Sequence, residues 1–171
     1  EFDFLCRPAR MFELSGYYAY TDAGFKEFIG PNGDDFSKQR FPRAPRNVYS
    51  ITGALIAPFS PDVGDMRLSL TYSHQVAYDY SDDYALEVTQ VGVPLPAGVL
   101  YNQAQIVEAQ DLLNLSFEWN EVLGSSVDLS AFVTNLTDKK YEVPYMGVVS
   151  VFDGRAPGEP RTYGLKMRYR F

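Results

Sequence analysis

Residues 162–171 read TYGLKMRYRF and bring the chain to its last side chain. Taking every second residue gives Tyr163, Leu165, Met167, Tyr169 and Phe171; the interleaved row is Thr162, Gly164, Lys166, Arg168 and Arg170. A period of two is the strand period, so one face is apolar and the other polar and cationic. The apolar row has internal order, aliphatic in the middle and aromatic at both ends. What that row faces decides the fold.

The same pattern recurs upstream. In MRLSLTYSHQ (66–75), Met66, Leu68, Leu70 and Tyr72 lie opposite Arg67, Ser69, Thr71, Ser73 and Gln75. In LLNLSFEW (112–119), Leu113, Leu115, Phe117 and Trp119 share a face, as do Phe12, Leu14, Tyr18 and Tyr20 in FELSGYYAY. Strand-like stretches fall at about 1–7, 11–28, 46–58, 66–79, 106–119, 127–141 and 161–171, about seven in all, and no amphipathic helix interrupts them. Several exceed ten residues, against about five or six for an ordinary globular strand.

The links between these stretches alternate in length. PAR (8–10), SPDVGD (60–65) and NEVLGSS (120–126) are short; GPNGDDFSKQRFPRAP (30–45), residues 80–105 and residues 142–160 are long. In an antiparallel meander alternate links fall on opposite ends of the sheet, so one end carries tight turns and the other large loops. A soluble sandwich has no reason to sort its loops; an outer-membrane barrel does, with short periplasmic turns, long extracellular loops and aromatic girdles. The expected fold is therefore an all-β, antiparallel up-and-down transmembrane barrel, here as a segment of about seven strands. Leu165 and Met167 then lie at hydrocarbon depth, while Lys166, Arg168 and Arg170 face a wet lumen.

Composition sets the outer bounds. Apolar residues make up 46% of the 171, with 15% aromatic and a mean hydropathy of −0.21, so the chain is not disordered wholesale. A formal charge of −7 without a basic cluster argues against nucleic acid. One cysteine, Cys6, excludes an internal disulfide framework.

Two motifs resemble a known family. VDLSAFVTNLTDKKYE (127–142), then GEPRTYGLKMRYRF (158–171), resembles the last hairpin of TonB-dependent outer-membrane receptors; FELSGYYAYTDAGFKEF (12–28) and QRFPRAPRNVYS (39–50) resemble earlier strands of the same barrel. The resemblance implies that residues 1–171 are the C-terminal portion of such a barrel, which in this class has about 22 strands and a plugged lumen. The plug and the TonB-contacting segment would lie outside this sequence. It implies a periplasmic C-terminus and a strand-borne assembly signal (Tyr163, Gly164, Leu165, Met167, Tyr169, Phe171) read by the barrel-assembly machinery. It also implies import of a scarce ligand such as a ferric siderophore, another metal chelate, a vitamin or a glycan, energised by the TonB complex, with lipid and lipopolysaccharide around the wall. No cofactor and no resident metal are implied. A passive porin-like barrel and, less well supported, a soluble β-sandwich binding module are the alternatives.

Ligand-side candidates cluster in the long loops: Asp34, Asp35, Arg40, Arg43, Asp82, Asp83, Tyr84 and Tyr101. Carboxylates of this kind suit calcium, but no spacing matches an EF-hand. Tyr80, Tyr84 and Tyr101 suit either ligand stacking or the outer girdle. Asn135 to Asp138 read as shaping a strand exit through side-chain bonds to backbone. His74, the one histidine, has Ser73 on the opposite face of its strand, so no nucleophile–base pair is visible and no enzyme is expected.

Overall fold

The computed structural model describes residues 1–29, 33, 35, 37, 41–60, 62–80, 106–148 and 152–171. In chain order its strands are β1 (Phe2–Ala9), β2 (Phe12–Tyr20), β3 (Asn47–Pro58), β4 (Asp65–Gln75), β5 (Tyr78–Asp79), β6 (Ile106–Val107), β7 (Gln110–Asn120), β8 (Val127–Thr134), β9 (Glu142–Val148), β10 (Phe152–Pro157) and β11 (Thr162–Tyr169). Seven form one antiparallel sheet in the order β1-β2-β3-β4-β7-β8-β11. Each strand of that sheet pairs with the next one along the chain, the up-and-down order that the alternating links imply.

Register converts the sequence alternation into two faces. Phe12 pairs with Leu55, Leu55 with Leu68, Leu68 with Phe117, Phe117 with Ala131, and Ala131 with Leu165. Directly paired residues share a face, so this line draws one apolar stripe across six strands. One residue along, Arg67 pairs with Glu118, Glu118 with Ser130, and Ser130 with Lys166, on the other face. That face also carries a hydroxyl ladder, Ser50 to Ser73 at 3.2 Å and Thr52 to Thr71 at 2.8 Å. On it Glu13 accepts from Arg7 at 2.8 Å and from Arg67 at 2.5 Å, and its own side chain is nearly buried between them.

Among the described residues no second layer covers the apolar stripe. Among the described residues the buried apolar side chains are Ala54 and Val107, whereas Leu165 is 89% exposed and Met167 71%. A soluble two-layer domain hides its apolar face against another element; this sheet presents it outward. An 11-residue strand such as β4 spans about 36 Å at about 3.3 Å per residue. Tilted by about 40°, it covers about 28 Å, which matches the apolar band of a transmembrane barrel.

The short-link end is tightly built. Pro8 sits where the β1–β2 register shifts between Cys6 and Ala9, a position that can spare its amide donor. Gly64 has φ +89°, and a Cβ there would run into the backbone carbonyls of Asn120 and Glu121, so the turn after β3 needs glycine. Trp119 Nε1 donates to the Val63 carbonyl at 2.8 Å, tying the ring to that neighbouring turn.

Five stretches read from the sequence are corrected. The stretch 11–28 ends as a strand at Tyr20, and Phe25, Phe28 and Phe41 instead gather as a ring cluster, with centroids 4.7 and 5.2 Å from Phe25. The stretch 127–141 ends at Thr134, because Asn135 and Asp138 take left-handed backbone (φ 48° and 53°). The stretches 66–79 and 106–119 each break, releasing β5 and β6 as a separate ribbon. Within 142–160, expected as a loop, β9 and β10 pair as a hairpin.

Candidate functional site

The terminal strand is the first candidate surface. Tyr163, Leu165, Met167 and Tyr169 pair with Val133, Ala131, Leu129 and Val127, all on the apolar face. Phe171 continues the row beyond the strand, its ring edge-on to Tyr169 at 5.1 Å. Gly164 lies on the other face opposite Phe132, whose ring occupies the space a Cβ would need. The polar row keeps its charges occupied at the short-link end: Arg170 donates to Asp128 at 2.8 Å and to Glu121 at 3.3 Å. β11 pairs with β8 on one side and stands at the edge of the sheet on the other.

The exit of β8 is held by one side chain. Asn135 is 3% exposed; its Nδ2 donates to the carbonyls of Lys139 (2.9 Å) and Glu159 (3.0 Å), and its Oδ1 accepts the Lys139 amide (2.8 Å). Its own amide donates to Asn114 on β7 at 2.9 Å. The carboxylate of Asp138 accepts from Lys140 at 3.1 Å and from the Arg161 amide at 3.4 Å. Those two donors, Lys140 first, hold the Asp138 carboxyl below the usual carboxylate range. The reading of Asn135 to Asp138 as a strand-exit device thus matches the geometry, which adds a tie from the outgoing loop to the returning strand.

Of the ligand-side candidates the structure describes Asp35 and Arg43, both at the long-loop end. Asp34, Arg40, Asp82, Asp83, Tyr84 and Tyr101 lie outside the described residues. Asp35 bridges to Ile29 and accepts the Ser37 amide at 2.9 Å; bonds from the Ser37 hydroxyl and amide lower its carboxyl below the ordinary value. Arg43, in left-handed backbone at φ 56°, stacks 4.6 Å above the Tyr80 ring and donates to the Tyr80 carbonyl at 3.1 Å. Asp35 and Arg43 share no bond. Arg46 donates to the Tyr20 hydroxyl at 2.7 Å and to Asp22 at 3.3 Å. Among the described residues no group of three His, Cys, Asp or Glu side chains could hold a metal ion.

A polar cluster that the sequence did not announce sits on the apolar face at this end. Asp111 Oδ1 accepts the Tyr72 hydroxyl at 2.6 Å and pairs with His74 Nδ1 at 2.7 Å, and Tyr49 stacks on His74 at 4.9 Å. His74 lies opposite Asp111 in register although 37 residues separate them. The one available signal was that both end an otherwise apolar row. Ser73 bonds Ser50 on the other face, as the alternation requires.

No protein-family model matches the sequence, and no curated protein matches it. Two solved structures are similar to it. One is the ferric yersiniabactin uptake receptor FyuA from Yersinia pestis, with a TM-score of 0.67 and 17% identity over 99% of this chain. The other is BauA, the ferric preacinetobactin receptor from Acinetobacter baumannii, with a TM-score of 0.65 and 18% identity over 98% of this chain. The chain spans about a fifth of each, 22% and 21% of their lengths. Resemblance in the terminal motifs and likeness in structure therefore meet on one architecture: this chain has the fold of part of a TonB-dependent receptor barrel.

Proposed function

We propose that residues 1–171 form the C-terminal wall of an outer-membrane TonB-dependent receptor that actively imports a scarce ligand, a ferric chelate being favoured. The observation that supports this reading is a seven-stranded sheet with one apolar and one polar face, similar in fold over almost all of this chain to about a fifth of two ferric-chelate receptors. The polar face is then the lumen wall. The long-loop end is extracellular, and β11 runs inward to a periplasmic Phe171 that the assembly machinery recognises.

This segment's part in the work is mechanical and topological. In hydrocarbon an unpaired strand edge leaves amides that cost several kcal/mol each, so the free edges of β1 and β11 call for strands from the rest of a longer chain. The lumen face supplies charge without that penalty, through Glu13, Arg67, Glu118 and Lys166. At the outer end, the loops around Arg43 and Asp35, with Arg40, Asp34, Asp82, Asp83, Tyr84 and Tyr101, form the ligand side. Energy arrives from the TonB complex through parts of the receptor beyond this wall.

The test is uptake by cells carrying the full-length gene. Radiolabelled ferric chelates should accumulate only when both the gene and TonB are intact. Accumulation that survives loss of TonB supports a passive barrel, and cytosolic fractionation of the full-length product refutes the membrane reading.

A further inference from the structure

We propose that Arg43 and Asp79 are a latent ion pair, a strap between the first two long links that closes when the face of the Tyr80 ring is taken from Arg43. Its parts are residues 43, 79 and 80, and it does not depend on what surrounds the sheet.

Asp79 is a buried carboxylate without a partner. It is 6% exposed, and among the described residues nothing donates to its side chain. Two other polar residues there are as buried, Glu13 and Asn135, and both are engaged by donors or acceptors on several sides. A buried charge is ordinarily paired or bound to a cation, so the Asp79 site is built to receive one. Its main chain is fixed: β5 pairs with β6, whose Val107 is buried, and the Asp79 carbonyl accepts the Arg43 amide at 2.7 Å. That bond sets the backbone of an arginine beside the carboxylate, within reach of its long side chain by rotation alone.

Arg43 is nevertheless turned elsewhere. Its Nε donates to the Tyr80 carbonyl at 3.1 Å, its guanidinium lies 4.6 Å from the centre of the Tyr80 ring, and among the described residues it makes no ion pair. The two seats differ in kind. On Tyr80 the exposed guanidinium keeps its water and gains a cation–π contact and a bond to a neutral carbonyl. On Asp79 it would gain a charge-assisted bond, about twice as strong as a neutral one, and relieve the buried carboxylate, at the cost of its own desolvation. Those opposed terms leave the ring contact to decide which seat is filled. Arg43 belongs to the link 30–45 and Tyr80 opens the link 80–105, so the move to Asp79 adds a side-chain tie between the two links to the main-chain bond already there. Tyr80→Ala stands in for a bound group that covers the ring.

The experiment is hydrogen–deuterium exchange of the full-length protein read by mass spectrometry. Protection of the Arg43 amide, which donates to the Asp79 carbonyl, reports how firmly the two links hold together. In the wild-type background Asp79→Asn removes an unpaired buried charge and should raise that protection at least about tenfold. In the Tyr80→Ala background, with Arg43 on Asp79, the same substitution breaks a buried pair and should lower it at least about tenfold. Adding Arg43→Gln to Tyr80→Ala should return Asp79→Asn to its wild-type sign, after correction for the intrinsic rate at residue 43. One sign in both backgrounds, no effect in either, or a sign that Arg43→Gln does not reverse overturns the latent pair. Loss of folding in Asp79→Asn alone also overturns it, since relief of an unpaired charge cannot unfold the chain. Tyr80→Leu, which also removes the ring face, decides where Tyr80→Ala does not fold. Recovery of the same protein from the cytosol refutes the membrane reading and leaves the strap standing, so the two fail separately.

Discussion

Replacing Leu165 by arginine separates a membrane wall from a soluble sheet, because the two environments predict opposite results at one position. Leu165 is 89% exposed, so in water its replacement by a charged residue falls within about ±0.5 kcal/mol. In a bilayer its depth matters. It lies third-in from Thr162, about 10 Å along the strand or about 8 Å along the membrane normal after a tilt of about 40°, close to the middle of the apolar band. Arginine there costs about 2–4 kcal/mol, which is about 30- to 900-fold in the folding equilibrium. The cost should fall with depth, to about 0–1 kcal/mol at Tyr169→Arg near the interface, while Lys166→Leu on the opposite face should change little. The assay is reversible urea unfolding of the full-length receptor in lipid vesicles, followed by tryptophan emission and gel mobility. Equal, near-zero costs at Leu165 and Tyr169 would refute the reasoning, as would a larger cost at Lys166 than at Leu165.

Further predictions concern the β8 exit and the sheet. Asn135→Ala removes three side-chain bonds from a buried site and places alanine in left-handed backbone; a loss of about 3 kcal/mol is expected in the same titration, with Asn135→Gly recovering about 1 kcal/mol of it. Asp138 has a folded-state pKa below its unfolded value, so its contribution is present above about pH 4 and is lost as pH falls through the lower folded value. The protection factor of the Arg161 amide, which donates to Asp138, should therefore fall on acidification in the wild type, with a flatter profile in Asp138→Asn. Gly164→Ala drives a methyl into the Phe132 ring and should cost about 1–3 kcal/mol; adding Phe132→Ala should recover part of that, and strictly additive losses in the double-mutant cycle would contradict the contact.

The seven sheet strands were legible because alternate residues go to opposite faces of a sheet, so one apolar and one polar face write a period of two into the sequence. Their order followed from link lengths alone. Strand ends were less legible: after Tyr20 the aromatics Phe25 and Phe28 still suggest a strand, yet they pack on Phe41 instead, a contact no local pattern encodes. The β9–β10 hairpin carries no clean alternation, since glycine and proline fall within it. The roles of the terminal residues split once register was known: Gly164 proved to be the seat of Phe132, while its neighbours form the outward row. The Asp111–His74 pairing was invisible because register, set by many residues between them, brings them together. Asn135 was readable as a local turn former, but not its reach to Glu159, which depends on where β11 returns.

The central claim is that this sheet is a wall with lipid on one side and water on the other. It is tested most directly by nitroxide labels placed singly from Tyr163 to Phe171 in the full-length receptor in membranes. Collision rates with oxygen and with a water-soluble nickel chelate should alternate out of phase, oxygen high at Leu165 and Met167 and nickel high at Lys166 and Arg168. Nickel collisions as frequent at Leu165 as at Lys166 would place both rows in water and contradict the account.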